Sequence, residues 1–367
     1  MKHNLHKLTR ILEEKNLEAI VLVEPSNIQY YTGLKMIADP VMVFYINRDG
    51  EKKLYTPVLE YYRARNNLPP EIEVYALSKK LVIEDMKQEK ASPDEIVVKF
   101  VSQHKKIGID AKTLPQLRKI VDYQSKNIVD ISDDVWKHRM QKEDWELEII
   151  KRAIDITIKG IKTAVDHLHE GITDAELAGV FEHRVRLEGV EEYAFQPLVL
   201  FKPDNSYPHN LPTGKRIGKR DLVLIDVGVK INGYCSDLTR TIPWKRPTAE
   251  ERKALEAVEE AISEVVDKAE PGMKGSEIDS IARRVLEKHG LAKYFIHGLG
   301  HGLGIDVHER PYLTQGYDKP IEENMVFTIE PGVYIAGKYG VRIEEDAVMT
   351  SKGIKVLSRK LERILWP

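Results

Sequence analysis

A single cysteine, Cys235, stands among 367 residues, so no intrachain disulfide and no thiolate metal cluster can form. An excess of charge of either sign is also missing. The 56 Lys and Arg face 58 Asp and Glu, a net charge of −2, and basic pairs such as Lys79-Lys80 and Lys105-Lys106 are scattered. A nucleic-acid partner needs a basic stripe that neutralises phosphates, so none is expected. No apolar run approaches the roughly 20 residues of a membrane span. The longest, such as Ala19 to Val23, have the length of core strands, so no membrane partner is expected. The N-terminal third has no glycine-rich loop that would cradle phosphates. Lys2, His3, Lys7 and Arg10 interrupt Leu5, Leu8 and Leu12, an amphipathic helix pattern without a signal-peptide core, and the expected location is cytoplasmic.

What remains is a globular composition, 42% hydrophobic and 31% charged. At roughly 150 residues per domain it predicts about two domains. The first alternates helix and strand patterns. Val41 to Ile46 and Lys53 to Tyr55 flank a turn at Asn47-Arg48-Asp49-Gly50. Ile107 to Asp110 and Ile128 to Ile131 read as short strands around a helical stretch from Pro115 to Gln124, giving an α/β domain with a largely buried sheet. After a polar stretch at Ser132 to Met140, Leu147, Ile150, Ile154, Ile158, Ile161, Val165 and Leu168 step by three and four along one helix face. The boundary is placed just before that helix, giving domains 1–137 and 138–367. Within the second, Glu170 to Gly189 and Pro271 to Gly290 align at an offset of 101 residues, matching Gly171 with Gly272, Glu176 with Glu277 and Gly189 with Gly290. Either an internal repeat related by a pseudo-twofold axis or shared helix patterning accounts for this.

The densest chemistry begins at Leu222-Val-Leu-Ile-Asp-Val-Gly-Val-Lys-Ile231, followed by Asn232-Gly233 and a second strand pattern from Tyr234 to Ile242. Asn-Gly between two such runs is a strong hairpin signal. With Ile231 opposite Tyr234, Gly228 falls opposite Asp237, and Asp226 becomes a diagonal neighbour of Asp237 on one face, roughly 7–8 Å away at the backbone. Two carboxylates so placed can converge on metal, or can simply be solvated on an open sheet face. Then His297, His301 and His308 fall within twelve residues, interleaved with Gly298, Gly300, Gly302 and Gly304. Imidazoles ligate metal or move protons near neutral pH, and the glycines permit close backbone approach. Glu330 closes an apolar strand before Pro331-Gly332. Alternation places Arg342, Glu344 and Asp346 on one strand face, as part of a site or as a surface ion-pair ladder.

Together these offer oxygen and imidazole donors, a set suited to borderline-hard divalent ions such as Mn²⁺ or Co²⁺. Two such ions would serve metal-assisted hydrolysis.

The strings IDVGVKINGYCSDLTRTI, HGLGHGLGIDVHE, TIEPG and GVRIEED carry Asp226, Asp237, His301, Glu330 and Glu344 in an order that resembles the dinuclear pita-bread metallopeptidases, over about residues 140 to 367. That group includes methionine aminopeptidase, Xaa-Pro aminopeptidase and Xaa-Pro dipeptidase (prolidase). The N-terminal part, with Tyr31-Thr-Gly33, resembles the extra domain of the proline-specific and creatinase branch, which methionine aminopeptidases lack. The implied architecture is an α/β N-terminal domain followed by an α+β pita-bread (creatinase/aminopeptidase-like) catalytic domain with a pseudo-twofold internal repeat.

The implied activity is hydrolysis of the Xaa-Pro bond, as a dipeptidase or, on longer peptides, as an aminopeptidase. Substrates are peptides with proline second, and a homodimer is the expectation by analogy. By resemblance Asp237 and Glu344 bridge two divalent ions, Mn²⁺ or Co²⁺ ahead of Zn²⁺ or Fe²⁺. Asp226 ligates one ion, and His301 with Glu330 the other. Glu330 is also the implied proton shuttle, and His308 stabilises the tetrahedral intermediate. His297 and His209 contact substrate, and Arg342 orients carboxylates. Two departures stand before and after His209. Phe201-Lys202 replaces a small Ser-Gly pair and Asn210 a frequent glycine, which predicts a bulkier, charged pocket wall. The intact ligand set disfavours metal-free creatinase chemistry and a non-enzymatic binding role. Cys235, two residues before Asp237, is expected to pack beside the ligands.

Overall fold

The computed structural model describes residues 3–37, 41–80, 84–110 and 126–365. They form two compact units, Met1–Arg139 and Met140–Pro367. The Pro115 to Gln124 stretch lies outside the described residues.

The first unit is built on a mixed seven-stranded sheet. Ala19–Leu22, buried along its whole length, pairs antiparallel with Val43–Asn47 and parallel with Ile107–Ile109. The strands Val43–Asn47 and Lys52–Pro57 form the expected hairpin, with Gly50 at φ +87° in its turn. The helix Leu5–Glu14 buries Leu5, Leu8, Ile11 and Leu12, one apolar stripe as its spacing requires. Tyr45 stacks on Phe100 at 3.8 Å between ring centroids, part of the cluster packed under the sheet. The polar stretch before the boundary is itself a helix, Ser132–Met140, with Asp133 and Asp134 in its first turn and Lys137, His138 and Arg139 in its last, the charge order that suits the helix dipole.

In the second unit the helix Asp144–Asp166 buries Ile150, Ile154, Ile158 and Ile161. Leu147 and Val165 are only half-buried, and Leu168 lies past the helix end. A Cβ at Gly160 would run into the Phe181 ring, so the glycine admits the helix Asp174–Arg186 to close packing. The helices Ala249–Lys268 and Gly275–Lys288 form a second packed pair. The two halves repeat in detail. Gly171 and Gly272 have φ of +89° and +91°, Gly189 and Gly290 have +79° and +72°, and the bridges Thr173↔Arg216 and Lys274↔Pro320 follow the first glycine of each. Among the described residues no helix is long and apolar enough to cross a membrane.

The helices back antiparallel sheets. Leu222–Val227 lies between Leu198–Phe201 and Leu238–Pro243, and Val229–Ile231 lies between Glu192–Tyr193 and Tyr234–Cys235. The five-stranded sheet runs Glu309–Leu313, Gly300–Gly302, Val326–Ile329, Glu345–Thr350, Gly353–Val356, and Gly332–Ile335 pairs with Tyr339–Arg342. Two interruptions matter for function. At Gly228 the long hairpin passes from one sheet to another, and a Cβ there would overlap the Ser236 carbonyl oxygen. At Ile343–Glu344 the chain likewise leaves one sheet for the next. The expected single strand through Arg342, Glu344 and Asp346 is therefore two strands.

Candidate metal centre and its cleft

The hairpin register is the one that Asn232-Gly233 dictates. Both turn residues have positive φ, 48° and 81°, as a two-residue type I′ loop requires. Ile231 pairs with Tyr234 and Asp226 with Thr239, so Asp237 is the diagonal neighbour of Asp226. From the five-stranded sheet, His301 sits between Gly300 and Gly302. A Cβ at either would overlap the backbone of a neighbouring segment, at Thr328 and Arg310 respectively. Glu330 follows the strand Val326–Ile329 and donates its N–H to Leu299 O at 2.8 Å. Glu344 donates its N–H to Thr239 O at 3.0 Å and accepts the Thr239 hydroxyl at 2.7 Å.

These elements bring the five expected donors together. Asp226, Asp237 and Glu344 form one group whose donor atoms lie within 4.8 Å of one another, and His301, Glu330 and Glu344 form a second that shares Glu344. A third group, Asp237, His301 and His308, adds an imidazole outside the expected ligand set. His301 Nδ1 lies 3.1 Å from Gly302 O, which can only accept, so Nε2 faces Glu330 at 3.3 Å and Asp237 at 3.7 Å.

The site has an unusual charge balance. Burial first, then neighbouring carboxylates, hold Asp237 and Glu344 well above the ordinary carboxylate range. Asp226 is also raised by burial, with the Arg342 charge only partly offsetting it. Burial pushes Glu330 up too, but the hydrogen bond and charge of His301 outweigh it and bring Glu330 to about 2. The same partnership overcomes burial at His301 and raises it. Burial lowers His297 and His308 and so favours their neutral forms. Asp226 Oδ1 is buried without a hydrogen-bond partner. Crowded, partly unsatisfied carboxylates with imidazole and no thiolate fit a divalent cation.

The donors lie in a cavity of about 540 Å³ that is also lined by His209, His297, His308 and Arg342. His209 is exposed. His297 donates from Nδ1 to Gly298 O at 2.8 Å, so its Nε2 accepts from the Tyr334 hydroxyl at 3.0 Å. Arg342 donates from Nη2 to Asp226 Oδ2, from Nη1 to the Tyr334 oxygen at 2.5 Å and from Nε to the Thr239 oxygen at 3.1 Å. It grips Asp226 directly and reaches Glu344 only through Thr239.

One expectation is overturned. Phe201 and Lys202 do not line the cavity. Phe201 is fully buried in its strand opposite Val223, and Lys202 donates to Arg220 O and Glu251 at 2.8 and 3.0 Å. The cavity wall comes instead from Phe195, Gln196 and Leu198. Asn210 also stays out of the lining and caps Leu211 N–H at 2.9 Å. Cys235 is buried, donates its N–H to Gly304 O at 2.8 Å and packs its sulfur 3.5 Å from Ile305 O.

Sequence reasoning missed Tyr334, Thr239, Lys142 and Glu309. Thr239 was within reach, because the hairpin register puts it opposite Asp226. Asp346, noted only as a strand neighbour, accepts the Asp237 N–H at 3.0 Å.

The family described as Metallopeptidase family M24 matches residues 148–351, and the Creatinase/Prolidase N-terminal domain matches residues 4–141. The chain belongs to metallopeptidase family M24, with a creatinase/prolidase-type domain ahead of a pita-bread catalytic domain. It is 34% identical to the Xaa-Pro dipeptidase of Pyrococcus furiosus, over 100% of both chains. Among solved structures it resembles an X-Pro aminopeptidase from Thermotoga maritima, with a TM-score of 0.86 at 28% identity over 99% of each chain. It also resembles the prolidase from Pyrococcus horikoshii, with a TM-score of 0.83 at 32% identity over 98% of each.

Proposed function

We propose that this peptidase hydrolyses the bond between an N-terminal residue and proline, acting first on Xaa-Pro dipeptides. The observation that carries the reading is the pair of donor groups sharing Glu344 inside one cavity, in a chain whose full-length relative is named for that activity. Asp226, Asp237, Glu344, His301 and Glu330 would hold two divalent ions. Mn²⁺ or Co²⁺ suits the donors best. When bound, such ions supply Lewis-acid stabilisation of charge developing on the scissile carbonyl and make water more acidic.

The protein groups do the rest. Glu330, ionised at neutral pH, accepts a proton as water attacks the carbonyl carbon and delivers it to the proline nitrogen as the C–N bond breaks. His308, neutral and beside His301, donates to the carbonyl oxygen. His297, fixed by Gly298 and Tyr334, and His209 at the exposed edge hold the substrate. Arg342 keeps Asp226 oriented.

The test is turnover of Xaa-Pro dipeptides and Xaa-Pro-Yaa tripeptides with Mn²⁺ or Co²⁺ added to metal-free protein. Metal-dependent cleavage at proline supports the reading. Faster cleavage of tripeptides replaces the dipeptidase form with the aminopeptidase form, and inactivity on both series refutes it.

A further inference from the structure

The His308 ring has an edge-to-face contact with His301, with ring centroids 4.3 Å apart, while its position along the cavity wall depends on the loop that carries it. That loop spans residues 303–308 between the strand holding His301 and the strand Glu309–Leu313. Glu309, the residue after His308, is buried, although it is a carboxylate at a strand start. Its backbone pairs with Gly302, where the register shifts between His301 and Gly302, and its side chain folds back over Gly304. A Cβ at Gly304 would overlap the Glu309 carboxylate, so the glycine is what admits it. The other carboxylate oxygen faces the Asp306 N–H at 3.5 Å. Glu309 thus closes the His308 loop from inside.

Lys142 meets that carboxylate, with Nζ 2.8 Å from Oε1 and both side chains 1% exposed. The backbone N–H of Lys142 donates to Asn324 O at 2.9 Å, and Gln141 bridges to Met325, just before the strand that delivers Glu330. One buried side chain therefore ties the His308 loop to the base of the Glu330 strand. Buried ion pairs add little net stability, because desolvation offsets their attraction, but losing one partner strands the other charge. Directional placement is the physical return on such a pair.

We propose that Lys142, through Glu309, is a positioning residue for His308. This rests on the assignment of His308 as the donor to the carbonyl oxygen. Sub-ångström placement matters there, since a misplacement of about 1 Å can cost on the order of 100-fold in rate.

The experiment compares metal-loaded wild type, Lys142→Met, His308→Ala and the double variant. Lys142→Met should lower kcat by roughly tenfold or more, with KM little changed and metal content intact. In the double variant the loss should be no greater than for His308→Ala alone. Multiplied losses, or a kcat for Lys142→Met within about twofold of wild type, overturn the proposal. A readout independent of turnover is the His308 Cε1–H resonance, which should move in Lys142→Met while that of His209 does not. An unmoved His308 resonance overturns the proposal. If wild type cleaves no Xaa-Pro peptide, the proposed function fails by itself and the resonance still decides the placement. Should Lys142→Met not fold, Glu309→Gln keeps the shape of the group, removes its charge and is read in the same way.

Discussion

Arg342 donates to one oxygen of Asp226 and leaves the other, Oδ1, buried and without a hydrogen-bond partner beside Asp237 and Glu344. The guanidinium holds the carboxylate by Oδ2 and leaves Oδ1 unsatisfied within the donor group. Arg342→Met should therefore lower metal affinity and kcat/KM, by roughly 10–100-fold as for other groups that orient metal ligands. Metal titration and steady-state kinetics on one preparation check this, and unchanged affinity would assign Arg342 to packing alone.

Glu330→Gln keeps the size of the side chain and removes the proton acceptor. The expected outcome is loss of turnover, on the order of 100-fold or more, in a protein that still folds, with a lower metal-free melting temperature because His301 loses its charged partner. Substantial residual activity at full metal occupancy would end the shuttle assignment.

The pH dependence follows from the raised carboxyl groups. Asp226, Asp237 and Glu344 bind protons more tightly in the folded, metal-free protein than in the unfolded chain. Their contribution to stability is complete below the unfolded carboxyl range and is lost as pH rises through the raised folded values. Glu330, held at about 2, acts in the opposite sense only below its ordinary value of 4.5, so it does not reverse the trend above that pH. His301, raised, adds to this trend, while His297 and His308, lowered by burial, oppose it below their ordinary value of 6.5. The raised groups outnumber them, so the metal-free melting temperature should fall as pH climbs from weakly acidic to neutral, and bound metal should remove the fall. Metal must displace these protons, so its affinity should rise with pH and binding should release protons. Calorimetry in two buffers of different ionisation heat measures that release, and no difference between the buffers would contradict it. Asp237→Ala should abolish tight binding of the second ion.

Gly228 is the point where the hairpin changes sheets. Gly228→Ala pushes a methyl group into the Ser236 carbonyl, which is backbone and cannot rotate away. A loss of about 1–3 kcal/mol in denaturant unfolding is expected, with lower metal affinity because Asp226 and Asp237 flank the break. Stability equal to wild type would mean that the hairpin yields without strain.

The hairpin and its two aspartates were legible because Asn232-Gly233 fixes the register and the pleat fixes the face. Three histidines among glycines and a glutamate ahead of Pro-Gly marked the region, but singling out His301 and Glu330 rested on the family resemblance, because spacing alone does not say which side chains share a donor group with Glu344. The strand break at Ile343–Glu344 was not, because alternation reads the same through a change of sheet. Arg342, Glu344 and Asp346 still reach one hairpin, at Asp226, Thr239 and the Asp237 N–H respectively. The Phe201-Lys202 wall was misread because matching these positions to the family's Ser-Gly pair says nothing about which side of a buried strand faces the cavity. Tyr334 meets His297 across 37 residues, and Lys142 meets Glu309 across 167, pairings that only tertiary structure creates.

Burial pushes the Cys235 thiol up to about 12, and no other cysteine exists in the chain. The protein therefore arrives chemically silent toward maleimides and iodoacetamides at neutral pH. A cysteine introduced on an exposed position such as Leu59 or Leu187 would be the single reactive handle for a fluorophore or spin label, with the native thiol left in place.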